Sequence, residues 1–156
     1  MKEELEDIYL NAVQEMKRID HIIFVSLKYT RTVDVLKSIV ERMIAASDFM
    51  LDLLLEFYVE KGEIDDYQQS PGLKVDQLKK LNEDDLINEM LKFYLKLRRI
   101  IRAEYDTINE YKRHVGMVIK EPDGSEAIIN IDNVTEYYHR MKEYLSKIYH
   151  FVNEDE

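Results

Sequence analysis

The chain has 156 residues, 22 of them Lys or Arg and 32 Asp or Glu, for a formal net charge of −10. With no cysteine, four glycines and two prolines, disulfide and thiol chemistry are excluded and long helices are favoured. The longest apolar run, residues 50–59, contains Asp52 and Glu56, and the opening MKEELEDIYL is acidic; the expectation is one cytoplasmic domain over residues 1–156, with no secretory signal and no membrane partner.

Over residues 2–27, Leu5, Tyr9, Ala12, Met16, Ile19 and Ile23 recur at spacings of four and three, the period of one helix face. A turn is expected over residues 28–31, resting on the weak helix formers Ser26, Thr30 and Thr32, with Thr32 placed to cap the next helix. That helix, residues 32–60, carries Val33, Leu36, Val40, Met43, Met50, Leu54 and Phe57 on one stripe. Ile39 and Leu53 widen it to burial on two sides. Asp48, Asp52, Glu56 and Glu60 form an acid ladder that repels itself on an isolated helix, so it is either solvated or met by cations from elsewhere. Gly62, Ser70, Pro71 and Gly72 mark a linker, which with a short helical turn at residues 75–81 fills 61–82.

Residues 82–114 read as a central helix. Asn82 is its expected N-cap, and Glu83, Asp84 and Asp85 sit favourably at the positive end of the dipole. Its seam is Met90, Tyr94, Leu97, Ile101, Ile108, Tyr111 and Val115, interrupted by Glu104. A carboxylate in an apolar seam needs a partner, so Glu104 is expected to be at least half buried against a cation or a tyrosine hydroxyl. Lys37 and Arg42 lie within reach by residue counting. A second face presents Arg98, Arg102, Tyr105, Asn109 and Arg113, and residues 92–102 hold five cations and no acid. Arginine offers bidentate phosphate contacts and tyrosine a stacking plane, so this face is a candidate nucleic-acid or anion surface.

Beyond His114, residues 117–120 and 126–129 flank Pro122-Asp123-Gly124-Ser125 and read as a β-hairpin within 115–132. Asn133 is the expected cap of a last helix to about residue 152, with Val134, Tyr138, Met141, Leu145, Ile148 and Val152 inward, Glu136–Arg140 and Glu143–Lys147 as i,i+4 pairs, and 153–156 a frayed tail. Glu136 and His139 have Glu-x-x-His spacing, but a carboxylate-bridged metal site needs a second copy and two further Glu residues. There is no Gly-rich phosphate loop, no His-Glu-x-x-His and no nucleophile setting, so no catalytic residue, cofactor or metal ligand is assigned.

The stretch Arg98-Arg99-Ile100-Ile101-Arg102-Ala103-Glu104-Tyr105-Asp106-Thr107-Ile108 resembles the Arg-Asn-x-x-x-His-x-Tyr-x-x-Ile stretch of HEPN domains. The resemblance implies a small bundle of four or five helices. In that family an Arg and a His form an RNase site at a dimer interface, while other members bind nucleotides or partner nucleotidyltransferases. Arg98 matches the family Arg and Tyr105 its aromatic, whereas Arg99 replaces the polar neighbour and Ala103 stands at the His position, implying a member without catalysis.

The expected fold is all-α, an up-down four-helix bundle with long helices and a β-hairpin inserted before the last one. The expected function is that of a non-enzymatic binding or scaffold protein, a homo-oligomer such as a homodimer, or one acting through a protein partner. The alternative is a HEPN-like protein binding RNA or phosphate, with or without residual RNase activity, through Arg31, Arg98, Arg102, Tyr105, Arg113 and His114. With alternating helices, Lys28, Arg31, Lys112, Arg113, His114 and Lys120 gather at one end. The acidic N-terminus, Glu56, Glu60, residues 83–85 and 154–156 gather at the other.

Overall fold

A computed structural model describes residues 1–153. Helix α1 (Glu3–His21) runs through a π-helical turn (Ile22–Ser26) into the short α2 (Leu27–Tyr29), so the first rod extends two residues past the expected 27 and ends at Thr30, within the expected turn. Thr32 caps α3 (Val33–Glu60), its Oγ1 accepting from the Val35 amide at 3.3 Å. The 28 residues of α3 form the hub, packed against α1, α4, α5 and α6, which explains its apolar positions on two sides. The acid ladder on α3 is answered by other elements rather than by water alone. Asp48 accepts from the Tyr94 hydroxyl at 2.5 Å, Asp52 from Lys74 at 2.6 Å, and Glu56 from the Tyr67 hydroxyl at 2.8 Å.

Helix α4 (Pro71–Leu81) is longer than the expected turn, because Pro71 starts it from the first position, where a missing N–H costs nothing. Asn82 ends α4 rather than starting α5: its Nδ2 donates to the Leu78 carbonyl at 2.6 Å. The cap of α5 (Asp85–Arg102) is Asp84, which accepts from the Leu86 and Ile87 amides at 2.9 and 3.0 Å and pairs with Lys147 of α6 at 3.0 Å.

Helix α5 stops at Arg102, well before the expected residue 114, and Ala103 is already extended at φ −69° and ψ 147°. Continuing the helix would carry Glu104 into the apolar seam. Instead Glu104 is exposed, makes no side-chain bond among the described residues, and contributes only its carbonyl, to the Lys120 amide at 3.3 Å. Its expected partners are engaged elsewhere. The Lys37 ammonium lies 5.2 Å from the Tyr105 ring centre, and Arg42 pairs with Glu15 of α1. Glu15 is the buried carboxylate, with Arg18 Nη1 at 2.6 Å and Arg42 Nη1 at 3.5 Å.

The chain after α5 forms β1 (Tyr105–Ile108), then β2 (Gly116–Lys120) and β3 (Glu126–Asn130), an antiparallel sheet in the order β1-β2-β3. The all-α bundle with a lone hairpin is therefore corrected: the fold is mostly helical with a small three-stranded sheet. A bare two-stranded ribbon is marginal, and the third strand comes from sequence that reads equally well as helix. Tyr105 opposes Ile119, which with Met117 and Ile129 faces the core; β2 meets α3 and β3 meets α6.

Helix α6 (Ile131–Asn153) is capped by Asn130, not Asn133. Asn130 Oδ1 accepts from the Asn133 amide and Asn133 Oδ1 from the Asn130 amide, both at 3.0 Å, a reciprocal capping box. Val134, Tyr138, Met141, Leu145, Ile148 and Val152 are buried as expected from the period. Arg140 lies over the Phe93 ring at 4.6 Å, and donates to the Tyr144 hydroxyl at 3.1 Å. The expectations for residues 154–156 lie outside the described residues. No described helix is long and apolar enough to cross a membrane.

Candidate anion-binding site

The site is built where the end of the first rod, the loop after β1 and the start of α6 converge. The loop is tied to the segment before α3 by two bonds: the Tyr111 amide donates to the Arg31 carbonyl at 2.7 Å, and Glu110 Oε1 accepts from the Val33 amide at 3.3 Å. The second bond sets a carboxylate against the positive end of a 28-residue helix. Within the loop, the Lys112 amide donates to the Asn109 carbonyl and the Val115 amide to the Lys112 carbonyl, each at 3.0 Å. The path needs left-handed backbone at Asn109 (φ 55°) and Tyr111 (φ 64°). Asparagine tolerates this, while tyrosine costs roughly 1 kcal/mol, which the anchoring bonds offset.

This path sets Arg113 and His114 opposite Lys28 and Arg31 around a pocket of about 210 Å³. Ile23, Phe24 and Leu27 give it an apolar floor, and Asn130, Ile131, Asp132 and Thr135 form the wall at the start of α6. That wall is the positive end of a 23-residue helix, an environment that favours anions. Ile23 and Phe24 come from the π-helical turn, a feature found often at functional sites because it shifts the phase of the side chains around it. Asp132 is the one acid in the lining, and Lys28, Arg31, Arg113 and His114 form no ion pair among the described residues. The Arg31 Nε is buried without a hydrogen-bond acceptor, a donor whose desolvation is uncompensated.

Two exposed tyrosines adjoin these cations in sequence, although neither lines the pocket. Tyr29 is 87% exposed and follows Lys28; Tyr111 is 77% exposed and precedes Lys112 and Arg113. Sequence periodicity gives no sign of them, since Tyr111 falls on an apparent helical seam. Their one sequence signal is a tyrosine with a base on one side, Lys28 before Tyr29 and Lys112 after Tyr111.

The remaining sequence candidates do not share this site. The Arg98 guanidinium lies 5.7 Å from the Tyr94 ring centre and acts on Asp48, in a structural cluster between α3 and α5. Burial holds the Asp48 carboxyl above its ordinary range, against the lowering effects of the Tyr94 bond, Arg98 and Lys74. Tyr105 packs against the core. Arg102 is exposed beside Lys96, Arg99 and Lys120 at the far end of the sheet. The expected single face from Arg98 through Arg102 and Tyr105 to Arg113 is thus divided, because α5 ends at Arg102 and the loop carries Arg113 elsewhere. Lys120 is likewise separated from the basic end by the length of β2.

Glu136 and His139 are exposed on α6, and among the described residues no three His, Cys, Asp or Glu side chains gather closely enough to hold a metal ion. No protein-family model matches the chain, and no curated protein or solved structure does either. Residues 98–108 run from the last turns of α5 into β1, with Arg98 on the helix and Tyr105 on the strand.

Proposed function

We propose that this protein is a non-enzymatic binding protein that holds a phosphate-bearing ligand, single-stranded RNA foremost, at the Lys28, Arg31, Arg113 and His114 pocket. One observation carries the reading: in a chain of net charge −10, cations from two distant segments surround one hollow at the start of α6. Local positive fields of this kind draw phosphates to them, and the arginines suit bidentate phosphate contacts. Tyr29 and Tyr111 supply faces on which unpaired bases stack, each such contact contributing about 1–3 kcal/mol. Ala103 at the family His position fits binding without cleavage. Ultraviolet cross-linking of a labelled oligouridine, followed by mass spectrometry, tests the reading; adducts are expected on Tyr29 or Tyr111, and adducts only elsewhere would count against it.

A second reading, self-association, is favoured by the groove between α1 and α6. Tyr9 and Tyr149 meet there with ring centres 4.9 Å apart and planes tilted by 46°, beside Val13 and Leu145 in a hollow of about 450 Å³. Light scattering at tens of micromolar separates the two: a dimer disrupted by Tyr149→Glu supports self-association through this groove, and a monomer removes it.

A further inference from the structure

We infer that a second anion site, fitted to the phosphate group of a small phosphorylated molecule, lies at the opposite end of the sheet, where the end of α5 meets the β2–β3 turn. This inference stands apart from the RNA reading and uses none of its residues.

The hollow there holds about 210 Å³ and is rimmed by Lys96, Arg99, Arg102 and Lys120, with Glu121 as its one acid among the described residues. Arg99, Arg102 and Lys120 form no ion pair among the described residues. Like charges around one hollow repel one another, and a bound anion offsets that repulsion. The cluster is more than compensation of a helix dipole. The amide of Ala103 already serves the Arg99 and Ile100 carbonyls, at 3.0 and 3.3 Å, and Lys120 arrives from a different element.

The backbone around the hollow is held in place. The Lys120 amide donates to the Glu104 carbonyl at 3.3 Å and the Glu121 amide to the Ser125 carbonyl at 2.8 Å, while Pro122 stiffens the turn. Lys96 is oriented by the Tyr137 ring, its ammonium 5.1 Å from the ring centre.

Ligand size and type follow from the lining. Ile100, Ala103 and Ile119 form a small apolar floor beneath the cations, suited to a phosphate carried on a compact body. Among the described residues no aromatic ring lines the hollow, so they give it no stacking face of the kind an extended nucleic-acid strand uses. Five residues of β2 separate this end from the first pocket, roughly 13 Å at the rise of an antiparallel strand.

Amide NMR titrations with inorganic phosphate and with glycerol 3-phosphate test the inference, against sodium chloride at matched ionic strength. The expected result is saturable shifts at Ala103, Lys120 and Glu121 with a Kd of about 1 mM or tighter, abolished in Arg99→Gln/Arg102→Gln and retained in Arg31→Gln/Arg113→Gln. Shifts that are absent, that sodium chloride reproduces, or that survive the Arg99→Gln/Arg102→Gln change would overturn it. Both substituted arginines are exposed, and an unchanged amide spectrum elsewhere confirms that the variant is folded. Failure here leaves the first pocket untouched, because its reporters are the amides of Arg31 and His114.

Discussion

The Tyr111 amide donates to the Arg31 carbonyl across 2.7 Å, joining two distant segments at the mouth of the basic pocket. Both partners are backbone groups, so the charged side chains can be replaced without cutting the link. Glu110 makes the neighbouring tie, to the Val33 amide. Glu110→Ala is expected to cost about 1 kcal/mol, as the loss of a helix-start acceptor does, and to weaken RNA binding by loosening the loop. The exposed Arg113→Gln should stay within about 0.5 kcal/mol of wild type while weakening binding. Urea unfolding together with RNA titration checks both.

Asp84 holds the start of α5. Burial alone would raise its carboxyl, but the Ile87 amide, Lys147 and the Leu86 amide together hold it below the ordinary range. A depressed folded-state value means that the stabilisation is present above the unfolded value and is lost as pH falls through the folded one. Asp84→Ala is expected to cost about 1–2 kcal/mol at pH 7. The gap from wild type should narrow below about pH 4, in urea unfolding followed by circular dichroism.

Asp48 has the opposite sign. Its raised value means that its contribution is fully present below the unfolded value and declines as pH rises through the folded one. Asp48→Asn, which keeps an acceptor for the Tyr94 hydroxyl, should therefore cost less than about 1 kcal/mol at pH 7, or stabilise. Tyr94→Phe instead strips the donor from a partly buried carboxylate, at a cost of about 1–3 kcal/mol. Thermal melts of both variants at neutral and acid pH compare the two.

Glu15 and Glu104 exchange the roles that the sequence suggests. Glu104→Leu should change stability by no more than about 0.5 kcal/mol, because the residue is exposed. Removing both cations from Glu15, as Arg18→Ala/Arg42→Ala, leaves a buried carboxylate unpaired. The expected cost is about 1–3 kcal/mol, below the range for fully buried pairs because both arginines are half exposed. Glu15→Leu should cost less than that pair of changes. Denaturant midpoints decide the order.

These exchanges show what the sequence made legible. The stripes of α1, α3 and α6 read directly, as does the Thr32 cap, because period and cap chemistry are local. Alternating helices lead to the expectation that Lys28, Arg31, Arg113 and His114 share one end, but the structure brings Arg113 and His114 there through β1 and the loop after it, not through a helix. Strand β1 is not legible: Ile101, Ile108 and Tyr111 fit a helical seam, four residues are too few to show alternation, and the partner strand lies further along the chain. Asn133 draws attention as a cap while Asn130 shares the same reciprocal motif. Glu15 lies one position from Met16 on α1, and only the close packing of α1 on α3 buries it. The exposure of Tyr29 and Tyr111 is likewise set by tertiary packing, which periodicity does not encode.

The salt dependence of oligouridine affinity, measured by fluorescence anisotropy for wild type and Arg31→Gln/Arg113→Gln, tests the central claim most directly. Wild type should lose affinity steeply between about 50 and 200 mM salt, as phosphate neutralisation with counterion release requires. The double variant should bind at least about tenfold more weakly at the lower salt, with a log–log slope reduced by about 2. Equal binding and equal slopes in the two proteins, or no binding by wild type at low salt, would contradict the assignment of this pocket.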